Sequence, residues 1–141
     1  MNKEVKSLLI FKNYLVNEVI FKTNYNFSGR EDAKLDFDIN ADNRVQGNSF
    51  ILTLGVCVFP EAEKNDYPFS IKVELSGLFE IDPNTTDKIK NNFIERNAIA
   101  ILFPYVRAIL SVYSSNSNVG TVVLPPINVV KYLENKRKNK D

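Results

Sequence analysis

The feature that most constrains the fold is a change of hydrophobic period near Asp82. Before it, apolar residues recur at every second position; after it, they recur every three to four. Period two gives a strand one covered face and one wet face, whereas period 3.6 draws an apolar stripe along a helix. Strands come first and helices last, so the chain reads as α+β, and strands in series joined by short loops argue an antiparallel sheet.

Four strands are predicted. Lys12–Lys22, rich in β-branched and aromatic residues, is the first, followed by a polar connection over Thr23–Asp32. In Ala33–Ala41 the residues Ala33, Leu35, Phe37 and Ile39 alternate with Lys34, Asp36, Asp38 and Asn40. A polar turn, Asp42–Asn48, leads to Ser49–Phe59, which is apolar on both faces and therefore central. After a proline-started acidic loop, Pro60–Asp66, alternation resumes through Tyr67–Ile81, with Gly77 on the apolar side marking a bulge or a close approach.

Thr85 or Thr86 is placed to cap the first helix, with Asp87 complementing the helix dipole. Ile89, Phe93, Ile94, Asn97, Ile101, Tyr105, Ile109 and Val112 follow at helical spacing. Pro104 is expected to interrupt this long helix, sitting near the start of a second segment where its missing N–H is harmless. Ser114–Thr121 ends the helical part, and Val122–Val129 is extended around its two prolines. Asn128 caps a short closing helix, and the basic run Lys136–Asp141 reads as a frayed, solvated end. The expected architecture is thus a four-stranded antiparallel sheet, a proline-interrupted long helix and a short C-terminal helix, in a single domain spanning 1–141.

Composition restricts function more than fold. The chain has no histidine and one cysteine, Cys57, which removes the commonest general base and the usual zinc and iron–sulfur ligands. No metal, cofactor or catalytic set is expected. A net charge of +1 argues against a nucleic-acid partner. No apolar run approaches a membrane span and no cleavable leader is evident, so a cytoplasmic protein without membrane insertion is expected.

Several stretches together resemble the SecB protein-export chaperone family. Ile101–Tyr113, "ILFPYVRAILSVY", is similar to the family's "LFPYAR" signature, and "VVLPPINV" to its "L-x-L-x-P-[VI]-N-F". Upstream, "YLVNEVIF", "AKLDFDI" and "VELSGLFEI" resemble strands of the family. The resemblance implies an ATP-independent cytosolic holdase, a dimer of dimers that binds unfolded precursors in apolar grooves and passes them to SecA. Matched positions make Tyr14, Leu15, Ala33, Leu35, Phe37, Ile109, Val112 and Tyr113 the candidate client-binding residues. Any of them fits an ordinary core position equally well.

Glu18 matches an acidic family position for SecA docking, with Glu61, Glu63 and Asp66 supplying acid in the following loop. A plain solvated loop is the simpler account of those three. Lys22 stands where typical members carry a carboxylate, the connection after the first strand lacks the tryptophan and prolines common in proteobacterial members, and "SSNSN" lengthens a turn. These departures suggest a divergent SecB-like protein, and some such relatives chaperone an antitoxin. Two other classes remain open: a small enzyme using Asp36, Asp38 and Glu74, and a structural or carrier protein that closes its apolar face by oligomerisation.

Overall fold

The structure, a computed structural model, describes residues 7–140. Four strands form one antiparallel sheet: β1 (Leu9–Thr23), β2 (Phe37–Gln46), β3 (Ser49–Val58) and β4 (Phe69–Ile81), in the order β1-β4-β3-β2. β3 is interior, as its apolar composition implies. The alternation of β4 is a real facing pattern: Phe69, Ile71, Val73, Leu75 and Phe79 are buried, while Lys72 and Leu78 are exposed.

β2 differs from the expected strand at both ends. Ala33–Asp36 lies outside the strand, because the β2–β3 ladder ends at Phe37↔Val58, with the Asp36 carbonyl accepting from Phe59 N–H at 2.8 Å just beyond it. At the other end, Asp42–Gln46 continues the strand, and the turn shrinks to Gly47-Asn48, closed by Gln46↔Ser49. Gly47 takes φ +61°, as a tight hairpin of this length requires. The predicted loop Pro60–Asp66 contains a short helix, α1 (Ala62–Asn65).

The helical run Asp87–Ser115 packs on β4 and β3 through its part from Ala98 onward. It comprises α2 (Asp87–Asn92), a π-helical turn (Phe93–Asn97) and α3 (Ala98–Ser115). Thr86 is the cap, its hydroxyl accepting from Ile89 N–H at 3.5 Å. In the π turn, Ala98 N–H donates to Phe93 O, inserting one residue into the helical phase. The buried stripe therefore passes from Phe93 and Ile94 to Ala98 and Ile99, and Asn97, expected on that stripe, is exposed.

The irregularity thus falls at the π turn, upstream of the expected joint. Pro104 lies inside α3. It is tolerated because it faces solvent, as does Ala100, whose carbonyl loses the bond that the missing N–H would have made. Leu102, Val106 and Leu110 on the opposite side are fully buried. By length and composition the 29-residue run could cross a membrane, contrary to the sequence expectation; here its buried side packs on the sheet.

Gly77 brings α3 and β4 together. A Cβ there would lie 2.9 Å from Phe79 Cε2 and 3.2 Å from Leu102 Cδ1. Phe79 has no room to yield, because its ring is stacked between Phe11 at 5.1 Å and Phe50 at 5.0 Å. The glycine therefore marks a close approach; the register shifts of this region lie on β1, between Phe11 and Asn13 and between Val16 and Glu18.

The closing helix, α4 (Val129–Lys140), is capped by Asn128, whose Oδ1 accepts from Lys131 N–H at 3.0 Å. Its basic end stays helical through Lys140, and Lys136 ties it to β2. Lys136 Nζ donates to Asp38 Oδ1 at 2.7 Å, Ile39 O at 3.0 Å and Asn40 Oδ1 at 2.6 Å. Asp141 lies outside the described residues. Burial pushes the Asp38 carboxyl up, but the hydrogen bond and charge of Lys136, with Tyr132 and Asn40, outweigh it and hold the group below its ordinary value. A lowered carboxyl stabilises the fold above its unfolded value, so this contribution is complete at neutral pH and is lost only as pH falls through the lowered value.

Gly77→Ala is expected to cost about 1–3 kcal/mol by overpacking, whereas Pro104→Ala is expected to stabilise by about 1–3 kcal/mol by restoring a helix bond. Urea unfolding midpoints measure both; a destabilising Pro104→Ala would contradict the mid-helix account.

Candidate functional site

β1 is an edge strand whose inward side is incompletely covered. Its residues opposite buried β4 positions (Phe11↔Phe79, Tyr14↔Gly77, Val16↔Leu75, Val19↔Val73, Phe21↔Ile71) turn toward the helical layer. α3 packs over the neighbouring β4 and β3, so these side chains form a seam beside the helix and not a sealed core.

The seam is aromatic at both ends. Tyr14 lies 4.6 Å from Tyr105 between ring centroids, and Phe11 lies 5.7 Å from the same ring. At the other end Phe21 meets Tyr113 at 6.0 Å and Phe69 at 5.0 Å. Here the seam opens into a cavity of about 720 Å³ lined by Phe21, Thr23, Ala108, Ile109, Val112, Tyr113, Asn116 and Ser117. Val112 is 64% exposed and Tyr113 47%, a large apolar display for a helix whose opposite face is sealed.

The predicted client residues therefore divide. Ile109, Val112 and Tyr113 converge on the cavity, and Tyr14 lies along the same seam. Leu15, 65% exposed, alternates onto the other face of the sheet, opposite Ser76. Ala33, Leu35 and Phe37 lie at the far edge, because β2 and β1 are the two outer strands. Leu35 is 39% exposed there, and Phe37 packs against Tyr132 at 5.7 Å. Phe21, Thr23, Ala108 and Tyr105 were not among the predicted site residues. The alternation of Val19, Phe21 and Thr23, and the four-residue steps Tyr105–Ile109–Tyr113, were the available signals.

The predicted acidic residues are largely occupied. Glu18 Oε1 pairs with Lys72 Nζ at 3.0 Å on the uncovered face, and the hydrogen bond and charge of Glu18 raise the lysine above its ordinary value. Asp66 accepts from Ser28 N–H at 2.9 Å, lies 3.7 Å from Arg30 Nε, and is held below its usual range by the Ser28 bonds and Arg30. Glu61 pairs with Lys64 at 3.9 Å, and with Glu63 it lines a polar cavity that also contains Lys22. The enzyme candidates are engaged as well. Asp36 accepts from Tyr67 hydroxyl at 2.8 Å, Asp38 holds Lys136, and Glu74 accepts from Asn17 at 3.2 Å. Among the described residues no cluster of three or more metal-ligating side chains occurs.

An α+β sheet of this order, with one helical layer that leaves an apolar seam at the edge strand, has the SecB-like fold. The chain matches the family model for preprotein translocase subunit SecB over residues 8–140, and it belongs to that family. It is 36% identical over 143 residues to an uncharacterized protein of Methanocaldococcus jannaschii, covering 96% of this chain and 88% of that one. Among solved structures, a Mycobacterium tuberculosis SecB-like chaperone in complex with a ChAD peptide from the HigA1 antitoxin aligns with a TM-score of 0.67 at 9% identity, over 84% of this chain and 90% of that one. A Streptococcus agalactiae protein of unknown function aligns with a TM-score of 0.51 at 13% identity, over 84% of this chain and 97% of that one.

Val112→Ser is expected to change folding stability by less than about 0.5 kcal/mol, whereas Val106→Ser, on the sealed side, costs about 2–4 kcal/mol. Chemical denaturation separates the two; equal losses would mean that the seam is closed core.

Proposed function

We propose that the protein is an ATP-independent chaperone that holds unfolded or extended polypeptide segments in the seam between β1 and α3. The observation that carries this reading is the cavity at Phe21, Ile109, Val112 and Tyr113, where adjoining apolar side chains are left to solvent. Loose, sequence-tolerant binding needs such a surface, because an unfolded client supplies apolar side chains in no fixed order. A protein that binds the unfolded state preferentially shifts the folding equilibrium by mass action and needs no chemistry to do so. Membership of the SecB family supports the reading, as does the antitoxin peptide held by the mycobacterial protein of like fold.

Two clients divide the reading. The family description points to preproteins bound for translocation, which the family resemblance would have handed to SecA. The pairing of Glu18 with Lys72 and the tying of Asp66 to Ser28 and Arg30 of the β1–β2 connection favour the other, a dedicated partner such as an antitoxin segment, because paired carboxylates offer little to a basic docking surface. In either case we read the protein as a cytoplasmic homo-oligomer, the dimer of dimers implied by the family resemblance. Leu15, Ile20, Ile51 and Leu78, exposed on the helix-free face, support further association of copies.

The test is suppression of aggregation of a chemically unfolded protein at stoichiometric ratio without nucleotide. The wild-type chain is expected to suppress it, and Val112→Asp combined with Tyr113→Ser to weaken capture about thirtyfold, each lost anchor contributing roughly 1 kcal/mol. No suppression by the wild type would overturn the proposal. Polypeptides co-purified from the native host decide the client: preproteins support export, and a single antitoxin supports the dedicated role.

A further inference from the structure

The helix α4 covers a second apolar surface, and its own attachment is unevenly distributed. Val129 and Leu133 are buried, but every residue from Glu134 to Lys140 is polar. That outer half is held by two ionic ties. Lys136 binds Asp38, Asn40 and the Ile39 carbonyl, and Arg96 meets Glu134 at 2.7 Å. One turn before Lys136, the Tyr132 hydroxyl donates to Asp38 at 3.1 Å while its ring lies against Phe37.

Packing beneath the helix is incomplete. Ile99, Leu133, Asn43 and Lys136 line a cavity of about 150 Å³ there, and Asn43 Oδ1 is buried without a hydrogen-bond partner. Half-exposed ionic ties over an imperfectly filled contact hold a helix weakly, so α4 belongs to the low-stability part of the fold. What it covers is apolar. Ile39 and Ile99 are buried, and Phe37 is half-buried and adjoins the exposed Leu35.

We infer that α4 is a strap, clasped by Lys136 onto Asp38 and Asn40, whose release adds Phe37 and Ile39 to the surface that contacts a client. The inference rests on the chaperone reading. Bared without a client, Ile39 and Ile99 would meet water, which the clasp prevents. An apolar client segment removes that penalty and competes with the strap for the same side chains, so the open form is selected only when it is occupied. Such a device also brings the far-edge residues Ala33, Leu35 and Phe37 into client contact, although the closed structure separates them from the seam.

Hydrogen exchange of the α4 backbone amides, read by mass spectrometry, tests the strap without any client. Lys136→Met is expected to speed exchange across α4 about tenfold while α3 changes less than about twofold. Reversing the pair, Asp38→Lys with Lys136→Asp, is expected to restore slow exchange. Lys136→Met is also expected to bind reduced, carboxymethylated α-lactalbumin, a permanently unfolded chain, at least about threefold more tightly than the wild type. Unchanged α4 exchange, or α3 loosening together with α4, would overturn the strap. Faster exchange with unchanged capture would overturn its role at the client surface. Failure of the wild-type chain to hold α-lactalbumin would overturn the chaperone reading and with it that role, while the exchange rates would still decide whether α4 is a strap.

Discussion

The contact on which the rest of the molecule depends is the approach of α3 to β4 at Gly77. With no Cβ there, Leu102 descends onto the strand beside Phe79, and that ring is itself fixed between Phe11 and Phe50. The helix is thereby centred over β4 and β3, whose inward residues Leu52, Leu54, Val56, Val73 and Leu75 are fully buried. One helix about 10 Å wide cannot cover a four-stranded sheet. Centred there, it leaves β1 uncovered along one flank, while α4 closes the opposite flank at β2. The open seam follows from the same packing that makes the core.

This arrangement separates stability from binding. Leu102, Val106 and Leu110 face the sheet and hold the fold, whereas Val112 and Tyr113, on the same helix, face solvent. The π turn serves that division. By inserting one residue after the half-buried Phe93 and Ile94 it carries the apolar stripe on to the buried Ala98 and Ile99, keeping the π turn and α3 against one core. Pro104 lies on the other side, where the unpaired carbonyl of Ala100 can meet water. A helix with one sealed side and one apolar side in solvent has the form expected of a protein that receives another chain.

Much of the fold was legible in the sequence, and the failures have physical causes. The alternation in β4 and the doubly apolar β3 identified their faces and the interior position of β3, because burial acts directly on composition. Ala33–Asp36 alternates too, but a ladder also needs a neighbouring strand; β3 ends at Val58, and one bond, from Phe59 N–H to Asp36 O, follows it. Asp42–Gln46 reads as loop because this end of an edge strand is largely exposed and tolerates polar residues, Asn43 being the half-buried exception. Lys136 reads as tail because its partners, Asp38 and Asn40, lie almost a hundred positions away. The site was half legible. Ile109, Val112 and Tyr113 share a helical face, so their spacing located them, whereas the division of Tyr14, Leu15 and Phe37 among different faces and edges depends on the strand order.

The central claim is that a non-native chain lies in the seam between β1 and α3. Photo-crosslinking tests it most directly, with benzoylphenylalanine placed at Val112 in the seam and, separately, at Ile51 on the helix-free face, each irradiated with a permanently unfolded polypeptide. The account predicts strong crosslinking from position 112, competed away by unlabelled client, and little from position 51. Crosslinking from position 51 with none from position 112 would contradict it.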